Sequence, residues 1–273
     1  MTLTTPHGLP RAEPRPVRTS VGDLSFRVWS SGPDDADATV VLLHGVGMSH
    51  RSFRRLQPVL AASARVHSLD LPGFAGLPSP RRDLTVRQMA DSVAVLLRQL
   101  SERPVVLVGH SMGAQWAVEC ALRHPSSVHA VALIGPVVDD HRRSLIAQAL
   151  ALARDGLREP PRTNARVIAD YLRTGVPWFL AQVRHMLAYP IEERVARLGA
   201  ASLIIWGSRD LVAEQARVDR LAARTSRRAP LVVPGAPHHA ARTDPGAVAC
   251  GILSFSAPVG DPAGRAPGRE RES

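Results

Sequence analysis

The chain contains no lysine: all 34 of its basic residues are arginine. It has only two cysteines, Cys120 and Cys250, too few for a disulfide framework. Each lies in a helical stretch among apolar neighbours, so two buried free thiols are expected. Aromatic residues make up 4% of the sequence, which leaves no basic and aromatic interleaving of the kind that grips nucleic acid. No apolar run approaches the ~18 residues of a membrane span. The segment from Met1 to Val17 carries four prolines before any apolar stretch, so no signal-peptide core is visible. The phosphate-cradling patterns G-x-G-x-x-G and G-x-x-x-x-G-K-[ST] are missing, and so is any compact His, Asp and Glu cluster with ligand spacing. These absences predict a soluble cytoplasmic protein without cofactor or metal, and with no nucleic acid or membrane as partner.

The formal net charge of +10 would by itself allow a polyanion partner. The arginines are nevertheless dispersed in pairs, Arg54-Arg55, Arg81-Arg82, Arg142-Arg143 and Arg227-Arg228, which reads as a solvated surface of mixed charge. At 273 residues and 45% hydrophobic, the chain can bury one substantial core, with room for a small insertion.

A repeated grammar runs through that core. Ala38 to Leu43 is apolar and short and breaks at His44-Gly45-Val46-Gly47, as a buried strand ending in a glycine-rich loop does. The pattern returns at Arg65 to Leu69, Val105 to Val108, Val128 to Ile134, Ser202 to Trp206 and Leu231 to Val233. Upstream, Pro16 to Thr19 and Leu24 to Val28 flank a Gly22-Asp23 turn and predict a hairpin. Helical stretches alternate with the strands at Phe53 to Ala62, Thr85 to Leu100, Met112 to Leu122, Glu214 to Ala222 and Pro245 to Phe255. Thr85 precedes an apolar stripe of period near 3.6 and can cap it. The expected fold is α/β, a mostly parallel sheet with helices on both faces, whose ligands bind beyond the carboxyl ends of the strands.

One interval departs from this rhythm. More than 60 residues separate the strand ending at Ile134 from the one beginning at Ser202. Arg143 to Ala153, Thr163 to Leu172, Pro177 to Leu187 and Ile191 to Leu198 within it read as helices, so a helical lid should be inserted after the sixth strand. Its Trp178, Phe179, Leu180, Met186 and Leu187 are candidates for lid core and pocket lining. The expected division is 1–20, an N-terminal extension and the start of the first strand; 21–138, the first part of the core; 139–198, the cap; 199–256, the second part of the core; and 257–273, a disordered tail rich in Pro, Gly and Arg.

Acyl transfer through a covalent intermediate needs an exposed nucleophile, a base, a group that orients the base, and donors for the oxyanion. Gly109-His110-Ser111-Met112-Gly113 follows a predicted strand and opens a predicted helix, the setting of a nucleophile elbow, so Ser111 is the candidate nucleophile. Glycine at 109 and 113 lets strand and helix backbones approach without β-carbons. The acid should follow in chain order. Asp210, just past a buried strand in Trp206-Gly207-Ser208-Arg209-Asp210, stands three residues too early to cap the helix near Glu214; Asp139 and Asp140 are the competing carboxylates. The adjacent His238 and His239 are the candidates for the base.

Taken with the elbow, these residues resemble the lid-bearing alpha/beta hydrolase superfamily, in its branch of esterases, C-C hydrolases, lactonases and cofactor-free haloperoxidases. The resemblance extends over Leu24 to Phe255. His44-Gly45-Val46-Gly47 resembles the oxyanion loop, and Asp70-Leu71-Pro72-Gly73-Phe74 the turn after the next strand, with Ala75 where the family often has glycine. The resemblance implies oxyanion donors at the Val46 and Met112 amides and a Gly-x-x-Asp acid at Asp210. It also implies a base at His238, two residues past Ala236 and seven before Pro245, with Pro237 in place of the usual glycine. His44, Gly45, His110, Trp178 and Phe179 are the candidate substrate contacts, His44 also bracing the loop. The implied activity is serine hydrolysis of a carboxylic ester or lactone with an apolar part. C-C bond hydrolysis of ring-cleavage diketones, halide peroxidation or perhydrolysis, and a non-catalytic ligand-binding protein on the same fold are the alternatives.

Overall fold

The computed structural model describes residues 15–137, 169–171, 173–225 and 229–256. Eight strands form one sheet: β1 (Pro16–Val21), β2 (Leu24–Ser31), β3 (Thr39–Leu43), β4 (Arg65–Asp70), β5 (Val105–His110), β6 (Val128–Ile134), β7 (Ala201–Gly207) and β8 (Leu231–Val233), in the spatial order β1-β2-β4-β3-β5-β6-β7-β8. Only the β1–β2 and β2–β4 pairings are antiparallel; the rest are parallel. In β2 the buried Leu24, Phe26 and Val28 alternate with partly exposed residues, as a strand covered on one face requires. Every residue of β5 is buried, because helices cover both faces of the sheet there.

Two apolar layers result. On one face α2 (Val86–Leu100) and α3 (Met112–Arg123) pack with α6 (Gln215–Arg224) and the insertion; on the other, α1 (Leu56–Leu60) packs with α7 (Ala240–Thr243) and α8 (Pro245–Ser256). The insertion supplies α4 (Val176–Ala188) and α5 (Ile191–Val195). Thr85 and Gln88 close a full capping box at the start of α2, and Val86, Met89, Ala90, Val93, Leu96 and Leu97 form its buried stripe. Each of the larger of these side chains contributes about 1.5–3 kcal/mol by leaving water.

The α/β class, the mostly parallel sheet and the helical insertion after β6 agree with the sequence pattern. The stretch from Phe53 to Ala62 is broken into a 3-10 turn at His50–Phe53 and α1. The Ile191 to Leu198 helix ends at Val195. Cys120 is buried, but Cys250 is exposed: α8 buries Val248, Ala249, Ile252 and Phe255, and position 250 falls on the opposite side of the helix. Leu180 is also exposed, at 49%, while Trp178 and Met186 on the inner side of α4 are buried. The stretch Arg143 to Ala153, nearly all of Thr163 to Leu172, the residues Asp139 and Asp140 and the tail 257–273 lie outside the described residues.

The insertion is fastened to the core by polar contacts that no local pattern announces. Glu119 of α3, fully buried, accepts from the Tyr189 hydroxyl at 2.9 Å and from two nitrogens of Arg194 at 2.9 and 3.0 Å. The Gln115 amide donates to the Met186 carbonyl at 3.0 Å, and that of Gln182 to the Leu84 carbonyl at 2.9 Å.

Candidate functional site

Loops from five neighbouring strands meet at one edge of the sheet. His44 follows β3, Ser111 follows β5, Gly135 follows β6, Asp210 follows β7, and His238 lies beyond β8, so the carboxyl ends of the strands β3-β5-β6-β7-β8 bring together residues nearly 200 positions apart.

Ser111 joins β5 to α3 at φ 55°, ψ −121°. It is one of two non-glycine residues with positive φ among those described, the other being Ala75. An L-residue is strained in this region. The contacts around it hold it there. Its N–H donates to the Ile134 carbonyl at 2.9 Å. A β-carbon on Gly109 would overlap the Gly113 carbonyl, and one on Gly113 would overlap Leu43 O. Strand and helix therefore meet backbone to backbone.

Asp210 and His238 form a buried pair, with His238 Nδ1 and Asp210 Oδ2 at 2.9 Å. The second oxygen of Asp210 accepts N–H bonds from Val212 at 2.7 Å and Ala213 at 2.9 Å. Burial by itself would raise the pKa of Asp210, but the charge and hydrogen bond of His238 and the two backbone donors outweigh it and hold the carboxyl below its ordinary range. These bonds close a local turn; α6 begins at Gln215 with Glu214 as its N-cap. An ionised Asp210 accepts, so Nδ1 carries the proton and Nε2 is the basic nitrogen of the neutral ring.

Two contacts tie His238 to residues that adjoin or hold Ser111. The His110 ring, next to Ser111 in the chain, donates from Nε2 to the His238 carbonyl at 3.2 Å. Gly135, next to the Ile134 that holds Ser111 N–H, faces the pair; a β-carbon there would stand 3.0 Å from His238 Cε1 and Nδ1 and 3.2 Å from Asp210 Oδ2. The His110 ring lies equally near both histidines, its centroid 4.9 Å from that of His238 and 4.8 Å from that of His239. Burial, reinforced by the charges of His239 and His238, pushes His110 well below the ordinary imidazole value.

The loop after β3 lies against the serine: a β-carbon on Gly45 would sit 3.0 Å from Ser111 Cβ and 3.5 Å from its Oγ. Met48 N–H donates to Gly45 O at 3.1 Å and Gly47 has φ 72°, which makes residues 45–48 a type II turn. His44 Nδ1 lies 2.7 Å from the same Gly45 carbonyl, while Leu71 N–H donates to His44 Nε2 at 3.2 Å. A carbonyl can only accept, so His44 is the neutral Nδ1–H tautomer, and burial keeps its pKa low. With the Gly45 carbonyl held by two donors, the trans peptide aims the Val46 N–H in the opposite direction. Met112 is the first residue of α3, where backbone N–H groups have no intrahelical acceptor and the local field is positive.

Of the candidate substrate contacts, His44 has both ring nitrogens engaged with backbone and is fully buried, the bracing arrangement expected of it. Gly45 adjoins Ser111, and His110 is tied to the His238 backbone. Trp178 of the insertion packs on Phe74, its indole seated over Gly73. Phe179 stands with Tyr171 over Gly47. Sequence reasoning missed Tyr171 and Asp170. Asp170, buried, accepts from the Ser49 hydroxyl at 2.5 Å and pairs with Arg51 at 3.3 Å, so the insertion touches the segment after β3 at a second place.

Comparison with known proteins follows the same lines. The family model of the alpha/beta hydrolase fold matches residues 38–154. The chain is 36% identical over 110 residues to the magnesium-chelatase 30 kDa subunit of Rhodobacter capsulatus, covering 40% of this chain and 38% of that protein. It is 40% identical over 113 residues to a pimeloyl-[acyl-carrier protein] methyl ester esterase of Chromobacterium violaceum, covering 41% of this chain and 40% of that one. The match thus spans about two fifths of the length of these relatives. A bacterial membrane phospholipase A superimposes with a TM-score of 0.75 at 22% identity, over 89% of this chain and 86% of its own. Strand order, insertion point and family model agree on the alpha/beta hydrolase fold.

Proposed function

We propose that the protein is a serine hydrolase that cleaves a carboxylic ester or lactone through an acyl-enzyme. The observation that carries this reading is the strained Ser111, held at φ 55° by backbone packing beside a buried and oriented His238–Asp210 pair. Strain of this kind persists where the surroundings enforce it, and a structural serine would have no use for it.

In this mechanism His238 Nε2 takes the proton of Ser111 Oγ as the oxygen attacks the substrate carbonyl. Asp210 stabilises the imidazolium that forms, and the Val46 and Met112 amides receive the charge that develops on the carbonyl oxygen. The imidazolium then protonates the leaving alkoxide. A water molecule, deprotonated by the same nitrogen, attacks the acyl-enzyme and releases the acid. No cofactor or metal takes part in these steps. The relative named as a methyl ester esterase supports the choice of an ester, and Trp178, Phe179 and Tyr171 over the loop support an apolar part in the substrate.

The test is hydrolysis of p-nitrophenyl acetate together with labelling by a fluorophosphonate. Wild type should turn over the ester and be labelled at one site. Ser111→Ala should lose label and lower kcat by about 10⁶. Retention of turnover by the variant would remove Ser111 as nucleophile, and a folded wild type that neither labels nor hydrolyses would favour a ligand-binding role.

A further inference from the structure

His238 is held from two directions. Its ring is set by Asp210, in the loop after β7, through the 2.9 Å contact at Nδ1. Its main chain is met from β5: His110, the last residue of that strand, places Nε2 3.2 Å from the His238 carbonyl, across 128 positions of sequence. A carbonyl only accepts, so Nε2 carries the proton; burial keeps the ring neutral, and Nδ1 is therefore a bare acceptor. That Nδ1 is buried and has no hydrogen-bond partner.

Stability alone does not explain a histidine at position 110. Its ring is buried between those of His238 and His239, at 4.9 and 4.8 Å between centroids. An acceptor buried without a partner is a cost to the fold, and an apolar residue would fill the place without it. What the imidazole adds is one donor within reach of the His238 carbonyl. The loop that carries this carbonyl is already fastened to the end of β7, where Arg209 N–H donates to Ala236 O at 2.9 Å and a β-carbon on Gly207 would stand 2.4 Å from the Ala236 and Pro237 carbonyls. Pro237 has no N–H to extend that fastening. His110 adds a tie to β5, the strand that delivers Ser111.

We propose that His110 is a positioning residue of the hydrolysis: its Nε2–H fixes the His238 main chain relative to Ser111, so that the ring held by Asp210 keeps Nε2 aimed at the serine oxygen. This inference rests on the serine-hydrolase reading. A hold at Nδ1 alone leaves the imidazole free to swing about the Asp210 contact, and the second hold removes that freedom. In this role His110 transfers no proton.

The test compares His110→Phe, which keeps a ring but has no donor, with His110→Gln, whose amide nitrogen reaches about as far as the imidazole Nε2. His110→Phe should lower kcat on p-nitrophenyl acetate by about 10- to 100-fold with KM within about twofold, because the base is misplaced while the binding surface stays. Its urea midpoint should stay at or above that of wild type, since the unmet Nδ1 is removed as well. His110→Gln should recover kcat to within about threefold of wild type. A role in packing alone would make kcat follow stability in both variants. The His238 Nδ1 proton, followed by imidazole NMR of the full-length protein, should exchange with water about tenfold or more faster in His110→Phe and return to the wild-type rate in His110→Gln. Ser111→Ala assayed alongside keeps the two failures apart: if it retains turnover, the hydrolase reading falls, and the His238 proton still decides the role of His110. If the phenylalanine ring prevents folding, His110→Leu carries the same expectations. Undiminished kcat in the variant without a donor, an equal loss in His110→Gln, or an unaltered His238 proton would overturn the proposal.

Discussion

The molecule contains two aspartate–histidine pairs with the same 2.9 Å Nδ1 to carboxylate distance, Asp210–His238 and Asp70–His50. Both carboxylates are fully buried, Asp70 as the last residue of β4 and Asp210 three residues past β7, yet their surroundings diverge. Asp70 also accepts from the His50 N–H at 2.8 Å, from the Trp29 indole at 3.0 Å and from Arg27 at 3.2 Å. Its charge is thus already met by a permanent cation. Asp210 has two backbone donors, and among the described residues its ionic partner is His238 alone. His238 is tied to His110, the residue before Ser111, whereas His50 lies among Arg27, Arg51 and Arg54. A carboxylate–imidazole contact is therefore not a catalytic device in itself. The company of the carboxylate decides.

The sharpest way to break this distinction is to remove each carboxylate in turn. Asp210→Asn should lower kcat on p-nitrophenyl acetate by about 10⁴, because the amide cannot hold the productive tautomer or its cation. Its effect on stability should be smaller, since the Val212 and Ala213 N–H groups keep an acceptor. Asp70→Asn should behave inversely. It leaves Arg27 and His50 without their buried counter-charge and should cost about 3 kcal/mol of unfolding free energy, with kcat held within about tenfold. Equal losses of kcat in the two variants would erase the difference.

Acid unfolding sharpens the comparison at the next level of effect. Burial, aided by the charge of Arg65, depresses His67 of β4 to about 4. A histidine with a folded pKa below its unfolded one contributes stability in full above pH 6.5 and loses it as the pH falls towards 4, here about 3 kcal/mol. Buried His44 and His110 act in the same direction. For Asp70, burial alone would raise the pKa, but the hydrogen bonds and charge of His50 bring it down to about 2. Its contribution is present above pH 3.8 and is lost as the pH falls towards 2, about 2 kcal/mol. Urea midpoints between pH 7 and pH 2 should therefore fall in two stages, and His67→Gln should shrink the first without altering the second.

Sequence pattern goes a long way at the sheet and stops at the insertion, for a physical reason. Strands such as Val105 to Val108 are buried on both faces, so composition alone marks them, and the elbow at Ser111 is legible because its glycines are demanded by local backbone contact. The Asp210–His238 contact joins residues 28 apart, and chain order narrows its members. Nothing local couples Ser49 to Asp170, 121 residues away, or Glu119 to Arg194, because a buried polar contact leaves no periodicity at either end. Cys250 shows the same limit on a smaller scale: apolar neighbours in sequence did not reveal which side of α8 it occupies.

The smallest expected effect concerns the two left-handed residues, one on each side of the comparison. Ala75 has φ 54° and its carbonyl accepts from Arg27, the partner of Asp70; Ser111 has φ 55° beside the other pair. An L-residue in this region costs about 1–2 kcal/mol, and replacing it by glycine returns that cost less about 0.4–1 kcal/mol for the freer unfolded chain. Ala75→Gly should accordingly raise unfolding free energy by about 0.5 kcal/mol and leave ester hydrolysis unchanged. Ser111→Gly should gain a similar increment and abolish turnover. That outcome would set strain at position 75, which the proposed mechanism does not use, apart from strain at 111, which it does. Loss of stability in either variant would mean that the left-handed backbone there is held without cost, and the strain at Ser111 would cease to mark the site.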